Sequence, residues 1–121
     1  MDNDQFLQQL RELNLDEGRA FIHAHASELA NPAAFGVLLA DEALEQLYTP
    51  FASLKLAELL IFFGEHLQHI SSHALGLKAK GDALEQIGHH QAALECLDVA
   101  KEKFLSLIRA SWSSLRLLQK V

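Results

Sequence analysis

Three histidines, His66, His69 and His73, with Glu65 beside them, are the residues whose types and spacing first suggest chemistry. On one continuous helix, positions i, i+3 and i+7 share a side, and imidazoles so placed can bind zinc or nickel. Two features argue the other way. Ser71-Ser72 reads as a helix break between His69 and His73, and the chain has neither an HExxH motif nor a cysteine pair. Surface or boundary histidines are therefore the expected reading, with no metal and no cofactor. His23 and His25 are two apart and point to different sides, while His89 and His90 stand at a bend where they can cap helix ends.

Other nucleophiles are equally poorly supported. Cys96 has no histidine at i±3 or i±4, so it reads as a small packing residue rather than an activated thiol. As the single cysteine it excludes an internal disulfide and fits a reducing, cytoplasmic setting. Ser111, Ser113 and Ser114 lack an elbow motif or an accompanying histidine. Gly81 and Gly88 are followed by two histidines rather than Lys-Ser or Lys-Thr, and no strand precedes them, so they form no phosphate loop. No enzymatic activity is expected.

The 121 residues suffice for a single domain with a real core, and half of them are apolar. Ala, Leu, Glu and Gln dominate over Val, Ile and Thr, which favours helix over sheet. The net charge of −6 argues against nucleic acid or an anionic membrane as partner. The charge is uneven: residues 1–100 carry 15 acids and 5 bases, whereas residues 101–121 set Lys101, Lys103, Arg109, Arg116 and Lys120 against Glu102 alone. The opening MDNDQFLQQL is acidic and polar, unlike a signal peptide. The most apolar run, LAELLIFF at 56–63, is too short to span a bilayer and reads as a buried helix segment.

The elements that must position these residues are helices. Phe6, Leu7, Leu10 and Leu13 mark an amphipathic helix over 2–13. Asn14 and Glu17 form a capping box that opens a second helix to about 30, with Ala20, Phe21, Ala24 and Leu29 on its apolar side. Asn31-Pro32 starts a third, to about 48, with Phe35, Leu38, Leu39, Ala43, Leu44 and Leu47 inward. Thr49-Pro50 starts a fourth, over 50–70, apolar nearly all round and so expected at the centre. Ser71 or Ser72 caps a fifth that ends at Ile87, closed by Gly88. A sixth, over about 90–107, carries Ala93, Leu94, Leu97, Ala100, Phe104 and Ile108 on one stripe. A seventh, over 109–120, has a thin stripe of Trp112, Leu115 and Leu118. The expected fold is thus all-α, one domain of six or seven helices joined by short connections into antiparallel hairpins.

Within residues 74–107, small and large residues alternate in a pattern that closes a hairpin. Ala74 and Leu77 precede Gly81, Leu84 follows, Gly88 makes the turn, and Ala93, Leu97 and Ala100 face back. With no side chain at Gly81 opposite the small Ala93, two helices can approach at the short end of the packing range, and Leu97 fills the gap. This stretch resembles one tetratricopeptide repeat, a helix–turn–helix of 34 residues. Lys80 at a usually apolar position, His90 where an aromatic is common, and Leu105 in place of a proline depart from that pattern. Residues 40–73 do not repeat it: Leu47 and Leu54 stand where glycines belong. The resemblance implies hairpins stacked as a right-handed superhelix, the alternative being a plain helical bundle. Because such repeats bury their faces on neighbours, the chain reads either as the opening part of a longer regulatory or signalling protein, or as a small repeat domain capped by its own helices.

The resemblance further implies a groove lined by the first helix of the repeat, where Leu75, Lys78, Asp82 and Glu85 fall between the packing positions. The expected function is protein–protein interaction, a partner peptide or helix lying across these residues. Lys78 and Asp82, four apart, are expected to pair when the groove is empty. Trp112 is either a lid on the last core layer or an exposed anchor for a partner. A second expectation, of another class, is self-association through the terminal helix.

Overall fold

The computed structural model describes residues 1–119, and among these the regular elements are all helices. The six α-helices are α1 (Asn3–Glu12), α2 (Leu15–His25), α3 (Pro32–Glu45), α4 (Pro50–His66), α5 (Ile70–Ile87) and α6 (His90–Gln119), with a 3₁₀ turn at Ala26–Glu28 after α2.

Local chemistry sets most of the boundaries. A capping box opens α1: Asp2 Oδ1 accepts from the Gln5 amide at 2.8 Å while Gln5 Oε1 accepts from the Asp2 amide at 3.3 Å. Asn14 and Glu17 make the same exchange at 2.8 and 3.1 Å to open α2. At α3 the Asn31 side chain accepts from the Ala34 amide, and Pro32 fills the first turn. The α5 cap is not a serine. His69 takes that place, its Nδ1 reached by the Ser72 amide at 3.2 Å and the Ser72 hydroxyl at 2.7 Å. The fourth helix also stops earlier than expected, at His66, because Gln68 turns into the left-handed region at φ 53° and the His69 amide closes back onto Gly64 O. Gly88, at φ 99°, ends α5 as expected.

The core joins α1 to α4 through edge-to-face rings. Phe6 meets Phe21 at 4.9 Å and Phe35 at 4.8 Å, and Phe35 meets Phe63 at 5.2 Å. As its composition requires, α4 lies at the centre and packs on α2, α3 and α5. The buried side of α2 differs from the expected one: Gly18 and Ile22 face inward, whereas Ala20 and Ala24 are exposed. On α3, Leu44 is 57% exposed, because Phe35, Leu39 and Ala43 fix the inward side and leave the next residue about 100° away.

The expected sixth and seventh helices are one. Between residues 107 and 109 there is no glycine, proline or cap, and α6 runs on as a 30-residue rod. Its stripe is narrower than expected, with Leu94 and Ile108 exposed. Trp112 is no lid either: it is 61% exposed. The side chains of Leu115 and Leu118 lie outside the described residues.

Candidate functional site

The α5–α6 hairpin is closed by small residues. Ala74, Gly81, Leu84, Ala93 and Ala100 are buried, with Leu77 and Leu97 half-buried. A Cβ at Gly81 would stand 2.7 Å from Leu97 Cγ and 3.2 Å from Ala93 O, so these helices pass where sequence spacing puts them. A still closer approach, without an obvious sequence signature, joins α5 to α4. A Cβ at Gly64 would sit 2.7 Å from His73 Cα, and one at Gly76 would sit 2.7 Å from the Ile61 amide nitrogen. Lys80, half-buried, has a partner: its Nζ lies 2.7 Å from Glu58 Oε1 on α4, and that bond raises the ammonium pKa.

With α3 and α5 both packed on α4, a groove opens between them. Its walls are Ala40, Asp41 and Leu44 from α3, Leu47 just beyond it, and Leu75, Lys78 and Asp82 from α5. Ala43, Ala79 and Ser53 make the floor. There the buried Ser53 hydroxyl donates to Ala43 O at 2.6 Å, tying α4 to α3 beneath the groove. The cavity volume is about 140 Å³. That is below the several hundred Å³ usual for a small-molecule site and suits a side chain or two.

Leu75, Lys78 and Asp82 line this groove together, and Lys78 Nζ pairs with Asp82 Oδ2 at 2.8 Å. The pair is largely in water and contributes little to stability. Asp41 on α3 and Asp82 on α5 both line the groove, and one turn further along their own helices lie Glu45 and Glu85. Glu85 itself bonds His90 Nδ1 at 2.9 Å, at the bend and outside the groove walls. On the other side of the Lys78 stem a shallower, apolar trough is lined by Leu97, Ala100, Lys101, Phe104 and Leu105. Sequence reasoning missed Leu44 and Leu47, which read as core; only their position beside the Phe35–Leu39–Ala43 row hints otherwise.

Trp112 does not join this group. Gly81 packs on Leu97, and Lys78 shares a trough with Ala100 and Lys101. In that antiparallel register, Trp112 lies about 16 Å further along α6 than Lys101, past the start of α5.

The histidines are dispersed among separate tasks. His66 stacks on Phe62 at 6.0 Å and meets the His23 ring edge-on at 5.1 Å. His69 caps α5, and His73 Nε2 lies 3.2 Å from Glu65 Oε1. Among the described residues, no group of three His, Cys, Asp or Glu side chains could hold a metal ion. Cys96 is half-buried, and burial pushes its thiol pKa up, away from thiolate chemistry. No described helix is long and apolar enough to cross a membrane.

Comparison with protein families, with curated proteins and with solved structures finds no match to this chain.

Proposed function

We propose that the chain is a non-enzymatic protein-interaction module whose α3–α5 groove takes a partner peptide or helix. The observation that carries this reading is the groove itself. Leu44, Leu47 and Leu75 line it, Asp41 and Asp82 rim it, and the Ser53–Ala43 bond stiffens its floor. Apolar walls provide the attraction that burial releases, and, with Lys78 pairing Asp82, Asp41 leaves the rim net acidic and favours a basic residue flanking an apolar anchor. Because its groove-facing helix is held by glycine contacts on one side and the α6 hairpin on the other, the surface is formed before a partner arrives. Preorganisation of this kind reduces the entropy lost on binding. Tetratricopeptide-like stacking of the α3–α4 and α5–α6 hairpins is part of the same reading, and the lone unactivated Cys96 is compatible with a reducing cytoplasmic compartment.

The test is selection of a displayed random-peptide library on the immobilised chain, with the Lys78→Glu/Asp82→Lys variant as counter-screen. Enriched peptides should carry an apolar anchor beside Lys or Arg and lose binding to the variant. Failure to enrich any peptide, or peptides that bind the variant equally well, would reject the groove.

A further inference from the structure

Helix α6 presents a second surface, apart from the groove. Residues 93, 97, 100 and 104 of this helix turn toward α5, but a second stripe about 100° away faces solvent. Leu94, Ile108 and Trp112 are 52, 51 and 61% exposed, and half-buried Leu105 lies in line with them. Asp98 and Lys101 are the polar members of that stripe. From the register with α5, the helix outruns its neighbour near residue 108, and all of 108–114 is exposed. Residues 108–114 alone make about 10 Å of helix whose side chains are all exposed. A solitary length of that kind is marginal in water, so an intermolecular contact would stabilise it.

Charge selects the occupant. Along one flank of the exposed stripe come Glu95 and Glu102, then Arg109 and Arg116. A parallel pair of α6 helices would set acid against acid and base against base. An antiparallel pair reverses this. With Leu105 at the centre, Glu102 of one copy meets Arg109 of the other, and Glu95 meets Arg116, each pair occurring twice by symmetry. Ile108 then lies over the aliphatic stem of Lys101, and Trp112 stands beside Asp98, whose carboxylate can accept from the indole N–H. Same-flank neighbours of an antiparallel helix pair face each other, so both ion pairs fall where the geometry needs them.

We infer that two copies of this chain associate through antiparallel pairing of their α6 helices about a two-fold axis near Leu105. The interface is isologous and closes at two copies, leaving both α3–α5 grooves free.

Sedimentation velocity of the full chain between about 5 and 200 µM tests it, because mass action separates a weak dimer from a monomer over such a range. The expected result is a monomer–dimer equilibrium with no larger species. Ile108→Glu with Trp112→Ala should leave only monomer while preserving the circular-dichroism melt, since both residues are exposed. Glu102→Arg should weaken dimerisation about tenfold by turning two attractive pairs repulsive, and Glu102→Arg with Arg109→Glu should restore it. A monomer throughout, open-ended assembly, or failure of the charge swap to restore the dimer would each overturn the inference. Asp41→Lys, on the α3 side of the groove and away from α6, should dimerise normally while weakening groove binding, so loss of groove binding and loss of the dimer are separable.

Discussion

Replacing Gly64 with alanine adds one methyl group where α4 and α5 have no room for it. The new Cβ would stand 2.7 Å from His73 Cα and 2.9 Å from His73 Cβ. Comfortable carbon contacts begin at about 3.5 Å, so the overlap approaches 1 Å, and because it falls on backbone no rotamer change relieves it. The two helices must separate. Overpacking of this severity costs about 3 kcal/mol, of which the better helix propensity of alanine returns about 1. The expected net loss is about 2 kcal/mol, or about 8 °C in Tm for a domain of this size. Gly81→Ala is the internal control. Its Cβ would meet the Leu97 side chain at 2.7 Å and the Ala93 carbonyl oxygen at a looser 3.2 Å; the side chain can shift where the Gly64 backbone contact cannot, so the net loss should be smaller, about 1 kcal/mol. Urea unfolding followed by circular dichroism measures both. If Gly64→Ala is as stable as the parent, or more stable than Gly81→Ala, the claim that α5 is clamped by backbone contact with α4 is wrong.

Other outcomes follow from single contacts. Ser53→Ala leaves the buried Ala43 carbonyl without its 2.6 Å donor and should cost about 1–2 kcal/mol in the same assay; no loss would mean that the groove floor is not held by that bond. Gln68→Gly relieves a left-handed φ of 53° and should stabilise by about 0.5–1 kcal/mol, measured as a higher urea midpoint; a lower one would contradict the strain. The Arg11 guanidinium, 2.9 Å from Glu42, holds the Glu42 pKa below its ordinary value of 4.5. Since the folded value is the depressed one, this pair adds stability above that ordinary value and loses it as pH falls through the lowered one. Glu42→Gln should therefore flatten the acid limb of a stability–pH profile and narrow its gap from the parent at low pH; parallel profiles would show that the pair is not linked to folding. Lys78→Glu with Asp82→Lys should change stability by less than about 0.5 kcal/mol, because the pair is solvent-exposed, and a collapsed melt would contradict that placement.

Helix punctuation was readable because it is local. Asn14 with Glu17, Asn31-Pro32 and Gly88 each act through their own backbone within a few residues, and each marks the boundary expected of it. So does the Gly81–Ala93–Leu97 contact, where adjacent helices joined by a tight turn leave little freedom of register. What escaped is non-local or chemically unusual. Histidine at the α5 cap uses an imidazole nitrogen where serine was expected. Gly64 and Gly76 look like isolated helix glycines until α4 and α5 are laid together. On the 11-residue α2, Phe21 fits either of two stripes, and only packing on Leu59 turns Gly18 and Ile22 inward. A thinning apolar stripe after Leu107 suggested a new helix, but no residue there breaks one, so α6 continues. Of the candidate site, Leu75, Lys78 and Asp82 were named through the likeness to a tetratricopeptide repeat, whereas Leu44 and Leu47 depend on how α3 is rotated against Phe63.

The most direct measurement of the central claim is an amide chemical-shift map of the isotope-labelled chain titrated with a selected peptide. Shifts concentrated at Ala40, Asp41, Leu44, Leu75, Lys78 and Asp82 are predicted, with α1 and the α6 overhang unmoved. Shifts centred elsewhere, or spread over the whole fold, would contradict a preformed groove between α3 and α5.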